Sequence, residues 1–165
     1  MKARRNSVMI LMADDDPDDC LLAKEALAES RMTSKLHCVQ DGEELMDYLY
    51  QRGKYATPGS APRPGLILLD LNMPKKDGRE VLRELKTDPN LRQIPVLVLT
   101  TSKAEEDIYR SYYLGANSFI TKPVTFSSLI EVMKILSKYW FEIVELPPQG
   151  AGGGDGHPIG QNPIR

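Results

Sequence analysis

Cysteine and histidine are scarce in this chain. Cys20 and Cys38 are the two cysteines, and His37 and His157 the two histidines. None has metal-ligand spacing, which argues against a zinc or iron–sulfur centre. Two thiols without a framework suit a reducing compartment, so a cytoplasmic protein is expected. A basic excess is also missing. Lysine and arginine total 21 against 23 acids, a net charge of -2. That leaves no electrostatic footprint for nucleic acid. No run approaches the ~20 apolar residues that span a bilayer, so no membrane partner is expected. Met1-Lys2-Ala3-Arg4-Arg5 followed by apolar Val8 to Ala13 starts like a secretory leader. The apolar run is too short, however, and ends in acids rather than a cleavage site. No internal repeat is visible. What remains is 165 residues, 41% hydrophobic and 27% charged, which suits one soluble domain with a real core.

The chain is organised around Leu66-Ile67-Leu68-Leu69-Asp70-Leu71-Asn72-Met73-Pro74. Four apolar residues run into one carboxylate, and Pro74 and Asp77-Gly78 close the run with turn signals. This pattern predicts a strand buried on both faces, as in a parallel sheet. Val8 to Ala13, Leu36 to Val39, Val96 to Leu99 and Ser118 to Thr121 read as four more strands. Helices are expected after Asp14–Asp19, from Asp41, over about 79–86, over 104–114 and over 125–138. Gly53 to Gly65 holds three Pro and three Gly and reads as a long loop. Strands alternating with helices imply right-handed crossovers and a parallel sheet covered on both faces.

In such a sheet the strand ends share one rim, where ligands bind. Strand one ends in Asp14-Asp15, strand three in Asp70, strand four in Thr100 and strand five in Lys122. Two carboxylates 4 Å apart repel by about 4 kcal/mol at an effective dielectric of 20. Either a pKa rises or a cation binds. An all-oxygen set suits Mg2+ or Mn2+ rather than zinc. Asp70 can attack phosphorus. Thr100 can donate to a phosphoryl oxygen, and is expected to do so only once that group is present. Lys122 can pair with Asp70 at rest and with the phosphoryl group afterwards. Asp18, Asp19 and largely Asp16 are assigned to the favourable charge of a helix N-terminus.

These residues resemble the receiver domain of two-component response regulators. The matching stretches are Met12-Ala13-Asp14-Asp15-Asp16-Pro17, Leu68 to Gly78, Leu99-Thr100-Thr101-Ser102, Gly115-Ala116-Asn117 and Lys122-Pro123. The resemblance implies an α/β, flavodoxin-like, doubly wound sheet of five parallel strands, order 2-1-3-4-5, with five helices. It implies that Asp70 is the phospho-acceptor and that Asp14, Asp15, Asp70 and the Asn72 backbone carbonyl hold Mg2+, with Mn2+ as a substitute. Thr100 and Lys122 would be the catalytic hydroxyl and amine, and Thr100 with Phe119 the switch pair. Phosphorylation and dephosphorylation would be self-catalysed, with no turnover of a separate substrate.

Tyr139-Trp140-Phe141-Glu142-Ile143-Val144-Glu145-Leu146-Pro147 resembles the ending of single-domain regulators paired with phytochrome-like sensor histidine kinases. The expected organisation is a receiver domain over 7–138, an apolar extension over 139–148 and a Gly/Pro-rich tail over 149–165. No helix-turn-helix, cyclase or methylesterase segment follows, so a stand-alone regulator is expected. A phosphorelay carrier is the alternative. A Mg-dependent aspartyl-phosphate phosphatase of the haloacid dehalogenase class needs a second Asp two residues after the nucleophile, where this chain has Asn72. A scaffold-only receiver would lose an acid, the threonine or the lysine, and all are present. Ile108, Tyr109, Tyr112, Tyr113 and the 139–147 extension exceed what one core requires. A homodimer through helix 4, strand 5, helix 5 and that extension is expected.

Overall fold

The computed structural model describes residues 8–29, 35–143 and 145–147. Five strands, β1 (Met9–Ala13), β2 (Lys35–Val39), β3 (Leu66–Leu69), β4 (Val96–Thr100) and β5 (Ser118–Thr121), form one sheet in the order β2-β1-β3-β4-β5. Every pairing is parallel. Five helices connect or follow them: α1 (Pro17–Glu29), α2 (Gly42–Tyr50), α3 (Gly78–Thr87), α4 (Glu105–Tyr113) and α5 (Phe126–Ser137). The expected strand order and element sequence are those found.

The continuous apolar runs of β1, β3 and β4 serve two cores at once, because successive side chains alternate faces. Leu11, Ala13, Ile67, Leu69, Val96 and Val98 join one core with residues of α2 and α3. Ile10, Met12, Leu66, Leu68, Leu97 and Leu99 join the other with residues of α1 and α5. β3 is buried throughout, and its register with β1 and β4 fixes where Asp70 emerges.

Helix starts follow local side-chain chemistry. Asp41 Oδ1 accepts from Glu44 N–H at 2.8 Å, Asp77 Oδ1 from Arg79 N–H at 2.8 Å, and Thr125 Oγ1 from Ser128 N–H at 3.3 Å. Helix α5 runs on into a π-helical turn, Lys138–Ile143. The loop expected over 53–65 is pinned rather than free. It opens with a 3-10 turn, Gly53–Tyr55, and Tyr48 Oη donates to the Pro62 carbonyl at 2.8 Å. Tyr48, Tyr55 and His37 pack ring against ring, with centroids 5.0–5.6 Å apart. His37 therefore has a packing role.

One expectation is corrected. Cys20 on α1 and Cys38 on β2 are joined as a disulfide, with Cα atoms 6.4 Å apart, rather than standing as separate thiols. Their separation of 18 residues carries no spacing signal; the crossover from α1 to the sheet edge brings them together. Trp140 and Leu146 in the extension pack on the α1/α5 core. Both side chains remain half-exposed there. The side chains of Phe141 and Ile143, all of Val144, and 149–165 lie outside the described residues.

Candidate phosphoryl-acceptor site

Asp70 follows the last residue of β3, and its main-chain N–H donates to the Ala13 carbonyl at 3.0 Å. That bond sets its side chain beside the tip of β1. The chain then turns sharply. Gly78 N–H closes the turn on the Leu71 carbonyl at 3.0 Å, and a Cβ at Gly78 would stand 2.2 Å from the Asp70 carbonyl oxygen. Only glycine lets α3 begin this close to the strand end.

Asp70 is buried, and its two oxygens are separately engaged. Oδ1 accepts from Thr100 Oγ1 at 2.8 Å and from the Asn72 N–H at 3.1 Å. Oδ2 accepts from Lys122 Nζ at 3.1 Å. Thr100 is fully buried and donates directly to the acceptor carboxylate. A buried hydroxyl facing a carboxylate has nowhere better to donate.

Lys122 sits just after β5, its N–H donating to the Thr100 carbonyl at 2.8 Å. Three carboxylates surround its ammonium: Asp14 at 2.6 Å, Asp19 at 2.8 Å and Asp70 at 3.1 Å. Burial works against this charge, but Asp14 and Asp19 outweigh it and hold the pKa above the ordinary lysine value. Asp19 is the member that sequence reasoning missed. The helix dipole accounts for its charge from sequence alone, whereas the first turn of α1 aims it at the rim. Its place two residues after Pro17, close behind Asp14-Asp15, is the only sequence signal.

Asp14 is buried and Asp15 exposed at the same strand tip. Asp14 Oδ1 accepts from Asp16 N–H at 2.9 Å. Its other oxygen, Oδ2, is buried without a hydrogen bond; the Lys122 ammonium touches it off the hydrogen-bonding direction. Burial pushes the Asp14 carboxyl up to about 6, against the pull of Lys122. One oxygen each from Asp14, Asp15 and Asp70 lies within 4.8 Å of the others. An orphaned carboxylate oxygen within an all-oxygen trio fits a hard divalent cation.

Phe119 on β5 pairs in register with Val98 and packs, half-buried, on the α2/α3 core. Asn117 brackets the start of β4: its N–H donates to the Val96 carbonyl at 2.8 Å and its Oδ1 accepts from Val96 N–H at 3.0 Å. Beyond Thr100 a further network was not anticipated. Ser102 Oγ donates to Asp107 Oδ2 at 2.6 Å, and Arg79 grips Asp107 with Nε–Oδ1 at 2.8 Å and Nη2–Oδ2 at 2.7 Å. The first turns of α3 and α4 are thereby tied together. Among the described residues no helix is long and apolar enough to cross a membrane.

An acceptor carboxylate held by a lysine and a threonine beside an acidic trio, on this sheet, has counterparts among known proteins. The response regulator receiver domain family matches over residues 10–134. The response regulator Rcp1 of Synechocystis sp. is 44% identical over 139 residues, covering 84% of this chain and 92% of Rcp1. The solved structure of the phosphorylated cyanobacterial phytochrome response regulator RcpA superposes with a TM-score of 0.81. It is 46% identical and covers 87% of this chain and all of that one. The Mn2+-bound form of Rcp1 superposes with a TM-score of 0.81 at 43% identity, covering 86% of this chain and 99% of that one. On the fold, the site and these likenesses together, this chain belongs to the response regulator receiver domain family.

Proposed function

We propose that the chain is a stand-alone response regulator that accepts a phosphoryl group on Asp70 from a sensor histidine kinase. The observation that carries this reading is the meeting of Asp70, Thr100, Lys122, Asp14 and Asp15 from four strand ends. An Asp70 oxygen attacks the phosphorus of a phosphohistidine; the O–P bond forms as the P–N bond breaks, and the imidazole leaves with the electron pair. Thr100 and Lys122 fix the carboxylate before transfer and can then turn their donors to the phosphoryl oxygens. Asp14, Asp15, Asp70 and, by resemblance, the Asn72 carbonyl would hold Mg2+ or Mn2+. The bound ion supplies positive charge that stabilises the phosphoryl oxygens. Loss of the Thr100–Asp70 bond would move β4 relative to β5, where Phe119 sits, and this is the proposed switch. The domain catalyses its own phosphorylation and hydrolysis and turns over no separate substrate.

The phosphoryl donor is read as a phytochrome-like kinase, because the similar RcpA is a phytochrome response regulator. The functional unit is the receiver domain over 7–138, with Trp140 and Leu146 of the 139–148 extension packed on it. Its proposed place is the cytoplasm, the side on which a sensor histidine kinase presents its phosphohistidine; the Cys20–Cys38 pairing lends that placement no support. A homodimer through α4, β5 and α5 is supported by exposed Tyr109, Tyr113, Val124, Phe126 and Ile135, an unusual apolar density for a free surface.

Asp70→Asn is expected to abolish the adduct of about 80 Da that acetyl phosphate leaves on the wild-type chain with Mg2+. An undiminished adduct in the mutant would disprove the assignment. Light scattering at ~100 μM should find a dimer that Tyr113→Glu weakens; a monomeric wild type at that concentration rejects the pairing.

A further inference from the structure

Lys122 is held more heavily than phosphoryl transfer by Asp70 alone would require. An ammonium has three N–H donors, and three carboxylates stand within 3.1 Å of it. The three contacts are not equivalent. Those with Asp19 and Asp70 have hydrogen-bond geometry, while Asp14 Oδ2 is an ion contact only. They also differ in what happens to them during the reaction, and the inference rests on the phospho-acceptor reading of Asp70. Asp70 loses its negative charge when it becomes an acyl phosphate. Asp14 belongs to the oxygen trio that fits a divalent cation, and its Oδ2 meets Lys122 as an ion contact without a hydrogen bond. Asp19 lies outside that trio. It is therefore the one carboxylate on Lys122 whose charge and position neither event alters.

Its backbone is also fixed on its own account. Asp18 N–H donates to Asp16 Oδ1 at 2.9 Å, Asp16 N–H to Asp14 Oδ1 at 2.9 Å, and the next residue, Cys20, is tied to β2. The lysine needs such an anchor. Its four-carbon stem has several rotors, and its main chain is secured through the Thr100 carbonyl, well back from the ammonium.

We propose that Asp19 is a positioning residue for phosphoryl transfer, holding the Lys122 ammonium at the Asp70 site while Asp14 and Asp70 change partners. Asp19 touches neither the phosphoryl group nor the acceptor oxygen; it acts through Lys122. The cost of losing it is misdirection of one charged donor.

The test uses the full chain with Asp19→Asn, Asp19→Ala, Lys122→Met and Asp19→Ala in the Lys122→Met background. Intact-mass analysis follows phosphorylation by acetyl phosphate at saturating Mg2+. Asp19→Ala is expected to slow the reaction about tenfold, a fraction of what removing an electrostatic donor outright costs. Asp19→Asn, isosteric and still an acceptor, should fall between it and wild type and guards against misfolding of the alanine variant. On the Lys122→Met background the same replacement should change the residual rate by less than about twofold, since the residue through which it acts is gone. A second readout needs no metal or donor. In EDTA the Lys122 ammonium should give a slowly exchanging 1H–15N signal that weakens in Asp19→Ala. A rate in Asp19→Ala equal to or above wild type overturns the inference, because Asp19 would then merely compete for the lysine. Equal slowing with and without Lys122 overturns it as well. A wild-type chain that takes up no phosphoryl group refutes the acceptor reading and this inference together; uptake on Asp70 with an unchanged rate in Asp19→Ala refutes the inference alone.

Discussion

Replacing Asp107 with Asn tests the clasp between α3 and α4. Arg79 holds both Asp107 oxygens, and Ser102 donates to one of them. The Arg79 guanidinium, then Ser102, brings the Asp107 carboxyl down from 3.8 to about 2. That drop of roughly two units corresponds to on the order of 2.5 kcal/mol at 1.36 kcal/mol per unit. Both side chains retain solvent contact, 28% for Arg79 and 16% for Asp107, and water screens the pair. A net contribution of about 1 kcal/mol is the better expectation. The sign follows from the direction of the shift. A carboxyl that binds its proton less readily when folded stabilises the fold above the unfolded value near 4. It loses that contribution as pH falls toward 2. Urea unfolding of wild type and Asp107→Asn should differ by about 1 kcal/mol near neutral pH, with roughly half of the difference gone by about pH 3. The other carboxylates are common to both proteins and cancel. A difference that stays constant over that range would refute the assignment of the stabilisation to an ionised Asp107.

Two further outcomes are expected. Mg2+ should raise the melting temperature of wild type by mass action, and the rise should vanish in Asp15→Ala; an equal rise in both would remove the proposed cation site. Thr100→Ala leaves Asp70 Oδ1 with one bond fewer and should lower unfolding stability by about 1–3 kcal/mol. It should still accept a phosphoryl group, but beryllofluoride should shift few amides between residues 104 and 122; wild-type-like shifts would sever Thr100 from the switch.

The sheet was legible because β1, β3 and β4 are short unbroken apolar runs, each ending in a polar residue at a turn. The rim residues Asp14, Asp15, Asp70, Thr100 and Lys122 could be placed together for the same reason, since a parallel sheet sends all those ends one way. Contacts that depend on side-chain direction were not legible. Whether Asp19 faces solvent or Lys122 turns on the helix phase of α1, which a run of five Asp within residues 14–19 does not mark. The Thr100–Asp70 bond and the Arg79–Asp107 clasp join residues 30 and 28 apart with no spacing rule. The folding back of Trp140 was equally hidden, because its apolar composition serves an interface and a core alike.

The unequal packing of the sheet's centre and its β5 edge has a mechanical consequence. β3 and β4 are buried along their whole length, whereas β5 is half-buried throughout and α4 buries only Ser111. Local opening draws on whichever contacts are fewest. Amide protons should therefore exchange slowest in the central strands and much faster in α4, where the clasp to Arg79 substitutes for a core. The acceptor sits against the stiff half, and the wall beyond Thr100 is compliant. Work done at Asp70 is transmitted to the side of the molecule that yields most, so the direction in which a signal travels is set by a gradient of packing density.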